Sequence, residues 1–123
     1  MAKVSTFEEL RIWQEARVLV KDIYKDFSPA TSGGRDYGVA GQVQRAGVSI
    51  MNNIAEGFER SRDTEFARFL DIAKGSCGEV RSLYYTAEDL CYVEEAVAAQ
   101  RRDQARSIAK GIAALASHLR LST

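Results

Sequence analysis

The chain has 123 residues, with 17 basic and 17 acidic side chains and a formal net charge of zero. That length suits one domain, here residues 1–123, with a modest core that needs neither disulfides nor metals. A strongly basic nucleic-acid binder is excluded, so any such contact must come from a local patch; the sole proline, Pro29, sits early and leaves everything after it free to be helix.

The first helix is predicted from Phe7 or Glu8 to Phe27, with Ser5 or Thr6 as N-cap and Glu8 and Glu9 facing the helix dipole favourably. Ile12, Trp13, Ala16, Leu19, Val20, Ile23, Tyr24 and Phe27 recur at the three-to-four spacing of a buried stripe, and Gln14, Arg17, Lys21 and Lys25 fall opposite. The stretch from Ser28 to Gly34 is dense in turn formers. A second helix follows from Arg35 to Phe58, and Glu59 to Arg62 connects it to a third. The third starts near Asp63 as N-cap and runs to Leu90 or Cys91. In it Phe66, Leu70, Ala73, Cys77, Val80, Tyr84, Ala87 and Cys91 step alternately by four and three, the heptad-like pattern of shallow helix crossings. Gly75 and Gly78 interrupt it at a cost of about 1 kcal/mol each relative to Ala, and close helix contact is the favoured reason for them. The fourth helix spans Glu94 to Leu119 on a stripe of Ala98, Ala105, Ile108, Ile112, Leu115 and Leu119. Helices over about 8–27, 35–58, 63–91 and 94–119, joined by short breaks, give an all-α, antiparallel up-down-up-down four-helix bundle.

Cys77 and Cys91 lie about 21 Å apart on one straight helix, too far for a disulfide, and read as small core residues in a reducing cytoplasm. The opening from Met1 to Thr6 has no apolar stretch, so no signal peptide is expected, and no window approaches a membrane span.

The second helix carries surplus apolar surface. Val39, Val43, Ala46, Ile50 and Ile54 share one side, and Val48, Met51, Ala55 and Phe58 widen the arc to roughly 200°, twice an ordinary core-facing stripe. The excess reads as a subunit interface at Val48, Met51, Ala55 and Phe58; the competing reading makes this helix simply the most buried member of a twisted bundle. Asn53 occupies a core register and Glu56 flanks it. Buried, both would need hydrogen bonds, from Ser76, Glu79 or Arg45. Such a polar network either fixes helix register or lines a ligand pocket, and the register role is the favoured one.

Enzyme chemistry finds little support. A di-iron bundle needs Glu-x-x-His pairs, and the single histidine, His118, has Leu115 three residues before it. A zinc site or a Ser-His or Cys-His pair would also depend on His118 alone. An acidic magnesium site from Glu56, Glu59, Asp63 and Glu79 is the least poor enzyme arrangement, and no cofactor is expected. Positive charges alternate with negative ones, as on a solvated face, but a ring of subunits could gather Arg60, Arg62, Arg101, Arg102 and Arg106 into a patch for RNA phosphates.

The segment Tyr37-Gly38-Val39-x-x-Gln42-x-x-Arg45-x-x-x-Ser49-Ile50-x-x-Asn53-Ile54-Ala55-Glu56-Gly57 is followed by Phe66-x-x-Phe69-Leu70-x-x-Ala73-x-Gly75-Ser76-x-x-Glu79. Together with Leu10-Arg11-Ile12-Trp13-Gln14-Glu15-Ala16, it resembles the bacterial 23S rRNA intervening-sequence proteins, also labelled the S23 ribosomal protein or four helix bundle protein family. The resemblance implies a homopentameric ring of up-down bundles and places Asn53, Glu56, Ser76 and Glu79 in the characteristic polar network. A related branch, accessory proteins of diversity-generating retroelements, is pentameric and basic and binds nucleic acid and a reverse transcriptase; the zero net charge here departs from it. The function so implied is a non-enzymatic homo-oligomeric scaffold with RNA or an RNA-handling protein as partner, a protein-only adaptor being the alternative.

Overall fold

The computed structural model describes residues 4–122; residues 1–3, part of the opening considered above for a leader, lie outside it. Among the described residues there are five α-helices and one 3-10 turn rather than four helices, and no strand. The turn is Phe7–Glu9, followed by α1 (Arg11–Asp26), α2 (Ser32–Arg35), α3 (Tyr37–Phe58), α4 (Asp63–Asp89) and α5 (Glu95–Leu121).

The extra pieces come from local hydrogen bonding. Glu9 reaches back to accept from the backbone N–H of Thr6 at 3.1 Å and of Ser5 at 3.2 Å. The chain then passes through extended Leu10, which separates the expected first helix into a turn and α1. Phe7 meets Trp13 edge to face at 5.2 Å, and the turn packs on both α1 and α3. In the expected loop, the Thr31 hydroxyl accepts from the Gly34 N–H at 3.0 Å and donates to the Ser28 carbonyl at 2.8 Å, winding Ser32–Arg35 into a single helical turn. Gly33 and Gly34 are buried there, and a Cβ at Gly34 would collide with the Ser28 backbone.

Asp36, not Arg35, starts the next helix: its carboxylate accepts from the Val39 N–H at 3.2 Å as an N-cap should. Asp63 is the first residue of α4 rather than its cap, and there its charge still favours the helix dipole. At the other end of α4, Cys91 takes the left-handed conformation (φ 60°), while the Tyr92 N–H bonds the Ala87 carbonyl at 2.8 Å and the Cys91 N–H bonds the Glu88 carbonyl at 3.0 Å. This is a Schellman cap with cysteine where glycine is usual. Cys91 is exposed, which corrects its reading as a core residue; Cys77 is fully buried, and burial pushes its thiol up to about 12.

The four long helices enclose one core: α1 packs on α3 and α5, and α4 packs on the same two. Leu19, Ile23, Ile50, Ile54, Leu70, Ile108 and Ile112 are fully buried, each contributing about 1.5–3 kcal/mol. Close approach uses three glycines. A Cβ at Gly47 would lie 2.7 Å from Ile23, one at Gly111 would lie 2.6 Å from Ile12, and one at Gly57 would lie 2.7 Å from Phe69. Gly75 and Gly78 face open space, so contact within the chain does not explain them.

Candidate functional site

Two polar clusters sit between helices. The first joins α3 to α4. The Ser49 and Ser76 hydroxyls are 2.9 Å apart, and the Asn53 amide donates to the Ser49 carbonyl at 2.8 Å and to its hydroxyl at 3.0 Å. Asn53 and Ser76 thus meet as expected, but through Ser49. The other expected members do not join them. Glu56 pairs with Arg60 at 3.1 Å on the surface, and Arg45 and Glu79 are exposed. Charged groups at these positions reach water from the outer flank of their helices, whereas hydroxyls and an amide are short enough to close on one another between α3 and α4.

The second cluster ties α1, α4 and α5 together and was missed in the sequence. Arg101 is 8% exposed and grips Asp26 with both arms, Nε at 2.7 Å and Nη2 at 3.1 Å. The Tyr84 hydroxyl donates to Asp26 at 2.7 Å, and Gln104 bridges Arg101 to Asp22 with bonds of 3.1 and 3.0 Å. The Asp26 bond raises the Arg101 pKa, and burial followed by the same carboxylate raises that of Tyr84. Arg101 was expected to contact nucleic acid; it is instead a buried ion-pair member. One signal could have shown this: residues 98, 101, 105, 108 and 112 share the core-facing register of α5, so Arg101 falls on the buried stripe.

The remaining cations of the expected patch do not gather in one chain. Arg102 pairs with Glu88 at 3.0 Å and stacks over Tyr85 at 4.0 Å, its side chain 12% exposed. Arg106 pairs with Asp103 at 2.6 Å. Arg60 lies over Phe69 at 4.9 Å, and Arg62 is exposed in the α3–α4 connection. That connection adjoins the end of α5, where Ser122 bonds Asp63, whereas Arg101 and Arg102 lie near the end of α1. The two groups therefore sit toward opposite ends of the molecule.

Val48, Met51, Ala55 and Phe58 are half-buried, and the last three pack against the chain's own core. The 3-10 turn, read in the sequence as the start of the first helix, packs on α3. A different apolar surface is open: a groove of about 740 Å³ between α1 and α5, lined by Val18, Ala96, Ala99 and Ile108 and edged by Glu15 and Asp103. Among the described residues no group of three or more His, Cys, Asp or Glu side chains is placed to hold a metal ion, so Glu56, Glu59, Asp63 and Glu79 are not drawn together as a magnesium site. No helix among those residues is long and apolar enough to cross a membrane.

The class so defined is an all-α protein of long packed helices whose internal polar groups bond chiefly to one another. Residues 8–114 match the family described as 23S rRNA-intervening sequence protein, and the chain belongs to that family. The fold is similar to the crystal structure of a protein of unknown function from the S23 ribosomal protein family of Bacteroides thetaiotaomicron, at a TM-score of 0.76 and 17% identity, covering 82% of this chain and 94% of that one. No curated protein matches the chain.

Proposed function

We propose that the chain is a non-enzymatic cytoplasmic scaffold: an antiparallel up-down-up-down four-helix bundle that assembles with itself, as a homopentamer, and engages RNA or an RNA-handling protein. The helix directions are supported by Arg101 near the start of α5 meeting Asp26 at the end of α1, and by Arg120 near the end of α5 meeting Asp71 early in α4. The short α2 lies in the connection between α1 and α3 and leaves four long members.

The observation that carries self-association is the open apolar groove between α1 and α5. It flanks α1 on one side, and the half-buried arc of Val48, Met51, Ala55 and Phe58 lies toward the other, where α1 packs on α3. Two unlike patches on opposite flanks favour head-to-tail contacts, which close into a ring when the rotation permits. The family's description supports RNA as the associated macromolecule.

Light scattering of the purified protein tests the assembly. The expected mass is five times the 13.6 kDa of one chain, and a monomer at micromolar concentration would reject the ring. Anisotropy titration with structured ribosomal RNA tests the partner. Saturable binding that weakens with salt is expected; absence of binding at low salt transfers the reading to a protein-only adaptor.

A further inference from the structure

The outer face of α1 carries a row of cations outside the patch the sequence suggested. Arg17, Lys21 and Lys25 follow one another at intervals of four residues and are all exposed. Each step advances about 6 Å along the helix and turns it by about 40°, so the three form a shallow spiral on one side. Among the described residues Lys21 and Lys25 make no ion pair or hydrogen bond, and Arg17 lies over the Trp13 ring at 5.7 Å. The acids of α1 are turned away: Asp22 and Asp26 are held by Gln104 and Arg101, and Glu15 pairs with Arg11 at 3.7 Å. A chain without net charge therefore presents an unbalanced cationic ridge along one helix.

An aromatic ring borders the ridge. Tyr24 is 48% exposed on the flank of Lys21 and Lys25, although its sequence register had placed it on the buried stripe. Cations that track a phosphate backbone, with a π-face on which a base can stack, form the minimal surface for single-stranded nucleic acid. An anionic membrane fits less well, because the main apolar stripe of α1 (Ala16, Leu19, Ile23) is locked in the core, so the helix has no wide apolar face to lay into a bilayer. We infer that the Arg17–Lys21–Lys25 ridge with Tyr24 is a binding surface for single-stranded RNA, contacting its phosphates and stacking one base. This rests on the RNA-binding part of the proposed function and gives it a location.

The test is fluorescence anisotropy of a labelled oligouridine strand with the full chain, across a range of salt. Three phosphate contacts on a single strand give a log–log salt slope of about −2. The double variant Lys21→Gln/Lys25→Gln is expected to bind about tenfold more weakly at low salt, with the slope reduced by about 1.4. Tyr24→Ala is expected to lose about tenfold on the single strand and nothing on a duplex of the same length. Arg102→Gln serves as the comparison and should bind as the parent does; unchanged melting temperatures separate these effects from folding. Binding by the parent that both α1 variants retain would overturn the ridge and leave RNA binding elsewhere standing. No binding of the strand by the parent at low salt would overturn the ridge, and failure to bind structured ribosomal RNA as well would overturn both.

Discussion

Arg101 shows how much a single buried charge can commit a chain to one arrangement. Its guanidinium is held by Asp26 and Gln104, with Asp22 at 3.7 Å, and Asp26 in turn takes a bond from Tyr84. Removing one side of such a pair strands the other, so Arg101→Ala is expected to lower unfolding free energy by about 3–5 kcal/mol. Arg106→Ala, at an exposed pair, should change it by at most about 1 kcal/mol. Urea denaturation of the two variants distinguishes these outcomes, and equal losses would contradict the burial argument. Asp36 supplies a pH-dependent counterpart. The Tyr92 hydroxyl at 2.6 Å and then the Val39 N–H hold its carboxyl below the ordinary 3.8. A group depressed in the folded state contributes stability above its unfolded pKa and loses it as pH falls through the folded one. The melting temperature should therefore fall more steeply below the ordinary carboxylate range in the parent than in Asp36→Asn, the two curves approaching each other at the acid end.

Between elements, glycines sort by what they face. Gly47 and Gly111 have a neighbouring helix where a side chain would go, while Gly75 and Gly78 have open space. Gly75→Ala and Gly78→Ala should each stabilise the monomer by about 1 kcal/mol, and Gly47→Ala and Gly111→Ala should destabilise it, as measured by thermal or urea unfolding. The sequence could not separate these cases, because helical spacing says that a residue lies on a face without saying which face has a neighbour. The existence of the four long helices was legible. The α3 C-terminus at Phe58 and the α4 start at Asp63 fell where expected, because Gly57 and the polar run after it break the apolar period. The 3-10 turn and α2 were not legible, since each depends on side-chain bonds, from Glu9 and Thr31, that periodicity does not encode.

At the scale of the molecule, charge was legible only as a sum. Equal numbers of acids and bases concealed their unequal distribution: Asp22 and Asp26 of α1 are drawn inward toward α5, and Arg17, Lys21 and Lys25 of the same helix are left outside. The polar site was half legible, because Asn53 stood out by register with Ser76 as a possible partner, while nothing in the spacing singled out their connector Ser49. Arg101 was misplaced because the run Arg101-Arg102-Asp103 resembles a solvated charge cluster, although its position on the Ala98–Ala105 stripe pointed inward.

The contact between Phe7 and Trp13 has a practical consequence. Trp13 is the sole tryptophan, 9% exposed, with the N-terminal turn against one edge and Arg17 over its ring. Its emission is thus an internal optical gauge of one small neighbourhood. Detachment of the turn would shift the emission to the red while the helical circular dichroism stayed constant, and a ligand that draws Arg17 away would alter its intensity without any label on the protein.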